Sequence, residues 1–180
     1  GIPMLVHAVR AVAASRVVDL VVVAAPEDTA EQVATMLAGQ SFGSDVLVVT
    51  GGATRQDSVA RALLTLPVDV DVVLVHDAAR PLVPVEVVTS VVAAVRSGHA
   101  AVVPALPVVD TVKRVDADDV VAATVDRSSL RAVQTPQGFD RGVLQRAHAS
   151  SDLDGEAVTD DAGLVERLGV PVHVIAGHEE

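Results

Sequence analysis

The residues best suited to chemistry follow the third apolar segment of the chain. Asp77 and Arg80 come directly after a Val-rich run that ends at His76, and Pro81 closes the stretch. A carboxylate there can hold Mg²⁺ or orient a cation, and an Arg guanidinium matches phosphate oxygens in a bidentate way. An Asp77–Arg80 ion pair that ties off a turn explains the same residues, and their spacing alone slightly favours it. His76 alternates with buried valines, which indicates a core histidine.

A glycine pair, Gly51-Gly52, is the second candidate. It leaves one predicted strand and precedes a helix predicted to begin at Ser58. Paired glycines let the backbone approach a ligand closely, and a helix N-terminus supplies free N–H groups. A flexible turn with Asp57 or Ser58 as the helix N-cap explains the pattern equally well.

A predicted β-hairpin, at about 108–126, carries the third set. Its β-branched strands flank a polar turn, and three cations and two hydroxyls lie in or near it: Lys113, Arg114, Arg127, Thr111 and Thr135. These groups would suit a phosphate, although charge on a hairpin usually marks a solvated face. The turn acids lack the glycine and terminal Glu of a calcium loop, so a solvated turn is favoured.

Thr159-Asp160-Asp161 indicates a helix N-cap followed by first-turn acids.

Helices and Val-rich strands must position these candidates, and the two alternate along the chain. Periodicity and breakers predict helices at 3–15, 28–37, 58–66, 84–97, 141–150 and 159–168, and strands at 18–25, 45–50, 70–76, 100–105, 132–134 and 172–175. The pattern is typical of an α/β fold with a doubly wound, mostly parallel sheet and an inserted hairpin. We expect residues 1–180 to form a single domain. In such sheets ligands bind beyond the carboxyl ends of the strands, where Asp77 and Gly51 lie.

Composition excludes several functions. The net charge of -11 and the absence of Lys and Arg clusters argue against nucleic-acid binding. No apolar run approaches the ~20 residues of a membrane span. The chain has no cysteine, which suits a cytoplasmic location. It also lacks G-x-S-x-G, H-E-x-x-H, G-x-G-x-x-G and P-loop motifs, so hydrolase, zinc and dinucleotide functions are disfavoured.

Six blocks, taken together, resemble the 2-C-methyl-D-erythritol 4-phosphate cytidylyltransferase family. They are GGATRQDSV at 51–59, VHDAARP at 75–81, DTVKR at 110–114, TVDRSSL at 124–130, QTPQGF at 134–139 and TDDAG at 159–163. Each block alone is weak, but the six occur in the family's order and span nearly the whole chain. The resemblance implies a Rossmann-like nucleotidyltransferase fold.

The resemblance also implies an activity and a site. A member of this family uses CTP, Mg²⁺ and a polyol phosphate, and it forms a homodimer through a β-arm that the hairpin resembles. Asp77 and Arg80 are the implied catalytic residues. The implied nucleotide-binding residues are Gly51, Gly52, Ala53, Ser58, Asp77 and Ala78, and the implied substrate-binding residues are Arg80, Thr111, Arg127 and Thr135. The resemblance implies that Thr111 and Arg127 come from the partner subunit, and no metal ligand is assigned.

The departures from the family pattern set two further expectations. The glycine-rich loop that grips the triphosphate in the family precedes the residues matched here, and a substrate-facing Lys segment follows them. Residues 1–180 alone are therefore expected to show little transfer and a weakened sheet. The alternatives are a ribitol 5-phosphate cytidylyltransferase, which the Ala78-Ala79 pair disfavours, and a non-catalytic nucleotide- or phosphate-binding domain.

Overall fold

The computed structural model describes residues 1–151 and 158–179. The helices are α1 Met4–Ala13, α2 Ala30–Ala38, α3 Arg55–Leu63, α4 Val85–Arg96, α5 Arg141–Ser151 and α6 Asp161–Arg167. The strands are β1 Leu20–Ala25, β2 Asp45–Thr50, β3 Val72–Val75, β4 Ala101–Pro107, β5 Lys113–Val115, β6 Val121–Thr124, β7 Arg131–Val133, β8 Gln137–Asp140 and β9 His173–Ala176. The predicted α/β alternation is confirmed.

The strands form two sheets that contain parallel pairs, and a separate two-stranded hairpin. β1 pairs with β2 in parallel, from Leu20 opposite Asp45 to Ala25 opposite Thr50. In the larger sheet β4 pairs in parallel with β9, and β8 lies antiparallel to both β3 and β4. β7 also pairs antiparallel with β4. Hence β3, β4 and β9 share one direction, and their carboxyl ends face one edge.

Strand β8 is absent from the sequence prediction. It follows a cis Thr135–Pro136 peptide and contains Gly138, and both Pro and Gly are depleted in strands. The glycine has a packing reason, because a Cβ at position 138 would lie 2.3 Å from Val91 Cγ1. Helix α4 therefore packs closely on the sheet at this residue.

Helices cover both faces of the larger sheet. Val91 and Val95 of α4 cluster with Val102 on one face. On the other face Ala101 and Val103 join the cluster formed by Phe139 and by residues of α3, α5 and α6. Successive β4 residues thus enter opposite clusters, as the alternation of side chains across a sheet requires. The core is built almost without aromatics, as composition predicts.

A gap separates the two sheets. No ladder joins β1 to β3 in the part of the chain that the structure describes, and apolar residues of both strands line a cavity of about 1090 Å³ between them. Helix α3 contacts both β1 and α5, so it connects the two sides of this cavity. The cavity reaches Asp77 and Ala78 just beyond β3.

The hairpin is shorter than predicted. β5 and β6 span only Lys113–Val115 and Val121–Thr124, and residues 108–112 form no strand. A register shift at Arg114/Val115 interrupts the ladder, which limits its length. The described residues contain no helix of the length and apolarity needed to cross a membrane.

Candidate active site

A small polar cleft lies beyond the carboxyl end of β3. Its volume is about 240 Å³, and it is lined by Arg55, Asp77, Arg80, Val133, Gln134, Thr135, Gln137, Thr159 and Asp160. Three predicted site residues, Asp77, Arg80 and Thr135, therefore meet here. Asp77 borders both this cleft and the larger cavity, whereas Ser58 and Ala78 border only the larger one.

Asp77 pairs with a different arginine from the one considered in the sequence. Its Oδ1 lies 3.2 Å from Arg55 Nε, while the Arg80 backbone N–H donates to the Asp77 carbonyl at 2.9 Å. A backbone hydrogen bond thus closes the turn. The alternative explanation from the sequence, an Asp77–Arg80 ion pair, is wrong. Among the described residues the Arg80 guanidinium has no ion-pair partner, so it remains available to an anion in the cleft.

Arg55 connects the cleft to the protein interior. Its Nη1 donates to Asp161 Oδ2 at 2.6 Å, and Asp161 Oδ1 lies 2.8 Å from His148 Nε2. Burial opposes the charged forms, but the mutual hydrogen bonds and charges outweigh it. They raise the pKa of Arg55 and lower the pKa of Asp161, whose carboxylate also faces His148.

Arg55 was missed in the sequence, because the signal that marks it depends on where α3 begins, and the predicted start was three residues later. Arg55 is the first residue of α3, where the positive end of the helix dipole disfavours a cation. Nearby anions offset this unfavourable interaction, and Asp77 and Asp161 supply them. The two acids lie 22 and 106 positions away, so sequence proximity could not identify them.

Thr135 and His76 fix the backbone around Asp77. The Asp77 N–H donates to Thr135 Oγ1 at 3.1 Å, and Thr135 Oγ1 lies 2.9 Å from His76 Nδ1. His76 Nε2 lies 3.0 Å from the Arg80 carbonyl, which can only accept, so Nε2 carries the proton and Nδ1 accepts from Thr135. Burial lowers the pKa of His76, which favours this neutral form. His76 is half-buried and links the turn to Thr135, so it is more than the core histidine that the sequence indicated.

The glycine loop packs against the first turn of α3. The helix begins at Arg55, three residues before the predicted start, because Thr54 and Asp57 form a reciprocal capping box. Ser58 is therefore not the N-cap. Its Oγ accepts from the Gly52 N–H at 3.0 Å and donates to the Thr54 carbonyl at 2.9 Å.

Both loop glycines have a packing reason. A Cβ at Gly52 would lie 2.1 Å from Asp57 Cβ, and one at Gly51 would lie 2.8 Å from Ser58 Oγ. Close approach of the loop to α3 thus requires glycine at both positions. Gly51, Gly52 and the exposed Ala53 do not line the small cleft, so their predicted nucleotide contacts stay a prediction.

Thr111 and Arg127 lie outside the cleft. Both are exposed, and the Arg127 guanidinium donates to the Val109 carbonyl at the base of the hairpin. A single chain therefore does not bring them to Asp77. Their contribution to a site stays a prediction that requires a second subunit.

The carboxylates of Asp77 and Asp160 near the cleft are compatible with a metal ion that takes its other ligands from the substrate. In the described ranges no cluster of three or more His, Cys, Asp or Glu side chains could hold a metal by itself. Mg²⁺ commonly takes only one or two carboxylates together with substrate phosphates and water. Asp77 lines the cleft with a half-exposed carboxylate, and Asp160 lines it too, although Asp160 also caps α6 through Gly163.

Comparison with known proteins identifies close relatives of this chain. The family model described as "IspD: 2-C-methyl-D-erythritol 4-phosphate cytidylyltransferase" matches residues 1–180. The 2-C-methyl-D-erythritol 4-phosphate cytidylyltransferase of Streptomyces avermitilis is 55% identical over 188 residues, which cover 100% of this chain and 74% of the relative.

Solved structures agree with this match. The crystal structure of 2-C-methyl-D-erythritol 4-phosphate cytidylyltransferase from Thermus thermophilus has a TM-score of 0.76 at 39% identity, over 93% of this chain and 76% of that one. That of 4-diphosphocytidyl-2C-methyl-D-erythritol synthase from Anaerococcus prevotii has a TM-score of 0.88 at 27% identity, over 98% and 80%. The Rossmann-like nucleotidyltransferase fold expected from the sequence is confirmed.

Proposed function

Because the chain belongs to the 2-C-methyl-D-erythritol 4-phosphate cytidylyltransferase family, we propose that it joins CTP and 2-C-methyl-D-erythritol 4-phosphate. The products are 4-diphosphocytidyl-2-C-methyl-D-erythritol and pyrophosphate, and the reaction belongs to the non-mevalonate route to isoprenoids. The family match along all 180 residues supports this function.

One structural observation carries the assignment. Asp77 lines the polar cleft together with Arg80 and Thr135, which are expected to face the sugar phosphate. Ser58 and Ala78, which are expected to face the nucleotide, border the apolar gap between the sheets, and Asp77 borders this gap too. The position of Asp77 between the two sets supports a transfer between two phosphorylated substrates.

The chemistry is an in-line displacement. An oxygen of the substrate phosphate forms a bond to the α-phosphorus of CTP, and the bond from that phosphorus to the β-phosphate bridging oxygen breaks, releasing pyrophosphate. Two anions must approach each other, so positioning and positive charge provide most of the catalysis. Arg80 would face a substrate phosphate, and no side chain has to act as a covalent nucleophile.

Mg²⁺ is part of this proposal. Asp77 is the carboxylate that would hold it, with Asp160 nearby, and the ion would offset the negative charge that develops on the leaving pyrophosphate. Asp77 would orient the phosphate region, and Arg55 Nε pairs with its Oδ1 at 3.2 Å.

A homodimer would complete the site. The exposed valines of the hairpin, among them Val115 and Val121, would pack on a second subunit, because an isolated hairpin is marginal in water. Thr111 and Arg127 of that arm would then reach the sugar phosphate across the interface. Gly51, Gly52 and Ala53 would line the cytosine and ribose, and the location would be cytoplasmic.

The proposal is tested by pyrophosphate release from CTP in the presence of Mg²⁺. With the flanking family segments joined to residues 1–180, we expect release with 2-C-methyl-D-erythritol 4-phosphate and little with ribitol 5-phosphate. Preference for ribitol 5-phosphate would assign a different polyol, and CTP binding without release with either would indicate a binding domain. Activity that appears only when the flanking family segments are fused to residues 1–180 would place the triphosphate clamp in those segments.

A further inference from the structure

Asp161 is a buried acid next to the cleft. Its side chain is only 1% exposed, although it is the first residue of α6. A carboxylate in such a place is strongly destabilising unless charged or polar partners surround it. Asp161 has Arg55 on Oδ2 and His148 on Oδ1, and both contacts are shorter than 3.0 Å.

The fold places Asp161 through the neighbouring sheet strand. Gln137 of β8 accepts from the Ala162 N–H at 3.1 Å and donates to Asp160 Oδ2 at 2.7 Å. Gln137 is itself 1% exposed and pairs with Val75 of β3, two residues before Asp77. The start of α6 is thereby fixed relative to the strand that carries Asp77.

Arg55 spans the two acids with different nitrogens. Nε meets Asp77 at 3.2 Å, and Nη1 meets Asp161 at 2.6 Å. A planar guanidinium can hold both carboxylates in a fixed relation, whereas a lysine ammonium is a single point charge. Removing Asp161 would leave Arg55, whose side chain is 40% exposed, free to change its position against Asp77.

We propose that Asp161 is a positioning residue for the transfer reaction, which acts by anchoring Arg55 and thereby orienting the Asp77 carboxylate in the cleft. The inference rests on the proposed function. A purely structural role, in which Asp161 only joins α6 to α5 through His148, is the competing explanation. The two differ in whether the effect of Asp161 on turnover passes through Arg55.

A double-mutant cycle distinguishes them. Asp161→Asn and Arg55→Lys are each expected to lower kcat roughly tenfold, with smaller changes in KM, because misplacement of a catalytic group mainly affects the transition state. The kcat of the double variant is expected to lie within about twofold of that of either single variant, because each substitution removes the same Arg55–Asp161 contact. Additive losses, or a wild-type kcat in Arg55→Lys, would overturn the proposal.

Two further measurements complete the test. Glu86→Gln removes an exposed first-turn acid of α4, and this matched control is expected to keep wild-type kinetics. If Asp161→Asn does not fold, Asp161→Glu takes its place in the cycle and in the resonance measurement, because it keeps the buried charge but displaces the carboxylate from Arg55. The ¹⁵N-attached Nε–H resonance of Arg55, identified by its loss in Arg55→Lys, gives a readout without turnover.

The resonance separates failure of this inference from failure of the proposed function. We expect it to be dispersed and slow to exchange in the wild type and to broaden in Asp161→Asn. An unchanged resonance would overturn the anchoring role whether or not the protein is active. Absence of pyrophosphate release from the wild type would contradict the proposed function, and the resonance would still report whether Asp161 orders Arg55.

Discussion

The Thr135 hydroxyl holds the Asp77 backbone from the other side of the cleft. Its oxygen accepts the Asp77 N–H at 3.1 Å across 58 sequence positions, and the same hydroxyl donates to His76 Nδ1. Thr135 is buried, so water cannot easily replace it as a partner. The conformation of the turn that presents Asp77 and Arg80 therefore depends on this side chain.

Replacing Thr135 with Val tests this dependence. The variant keeps the side-chain shape but leaves the Asp77 N–H and His76 Nδ1 without a partner, which should lower the free energy of unfolding by about 1–3 kcal/mol. Urea denaturation measures the loss. Thr135→Ser keeps the hydroxyl and is expected to retain most of the stability, and equal losses in the two variants would show that the hydrogen bonds are unimportant.

His76 should give the fold a pH dependence. Burial lowers its folded-state pKa below the ordinary value of 6.5, so the unfolded chain binds the proton more readily. Its contribution is fully present above about pH 6.5 and is lost as the pH falls toward the folded pKa. The depressed pKa of Asp161 acts only at more acidic pH, below its ordinary value of 3.8.

The measurement is urea stability at pH 7.5 and pH 5.5. The wild type should lose more stability between these values than His76→Gln, which keeps one donor and one acceptor but does not titrate. The other histidines are common to both proteins. Identical pH slopes would contradict the assigned neutral state of His76.

Most helices and strands could be predicted from the sequence, because the strands are Val-rich and end at Gly, Pro or polar residues. The elements that the sequence did not predict depend on tertiary contacts. β8 contains Gly138 because Val91 packs against it, and the early start of α3 follows from the Thr54–Asp57 capping box. Local propensity disfavours a strand at β8, because glycine is depleted in strands. The early start of α3 is visible in the sequence only as a T-x-x-D pattern.

The site was predicted only in part for a similar reason. Asp77 and Arg80 follow a strand, and this position alone marks them as candidates in the sequence. Arg55 and Asp161 acquire their roles from each other, and they are 106 positions apart. Asp161 in TDDAG reads as an ordinary first-turn acid until its burial is known.

Arg127 provides a test of the composite site. In the proposed dimer it reaches only the sugar phosphate, so Arg127→Ala should raise KM for 2-C-methyl-D-erythritol 4-phosphate roughly tenfold or more while leaving KM for CTP nearly unchanged. Steady-state kinetics with each substrate varied in turn measures both values. Arg131→Ala is the matched control, because Arg131 also donates to nearby backbone carbonyls and has no assigned ligand. Equal losses for the two substrates would contradict a site shared between subunits.

The most direct test of the whole account is the rate of pyrophosphate release by Asp77→Asn, measured with CTP, 2-C-methyl-D-erythritol 4-phosphate and Mg²⁺. Asn keeps the size of the side chain but removes the charge that faces Arg55 and that is proposed to hold Mg²⁺. We expect a fall in kcat/KM on the order of a hundredfold or more, because Asp77 lines the cleft and is the carboxylate proposed to hold Mg²⁺. A folded Asp77→Asn protein with wild-type kcat/KM would contradict the assignment of this cleft as the site of transfer.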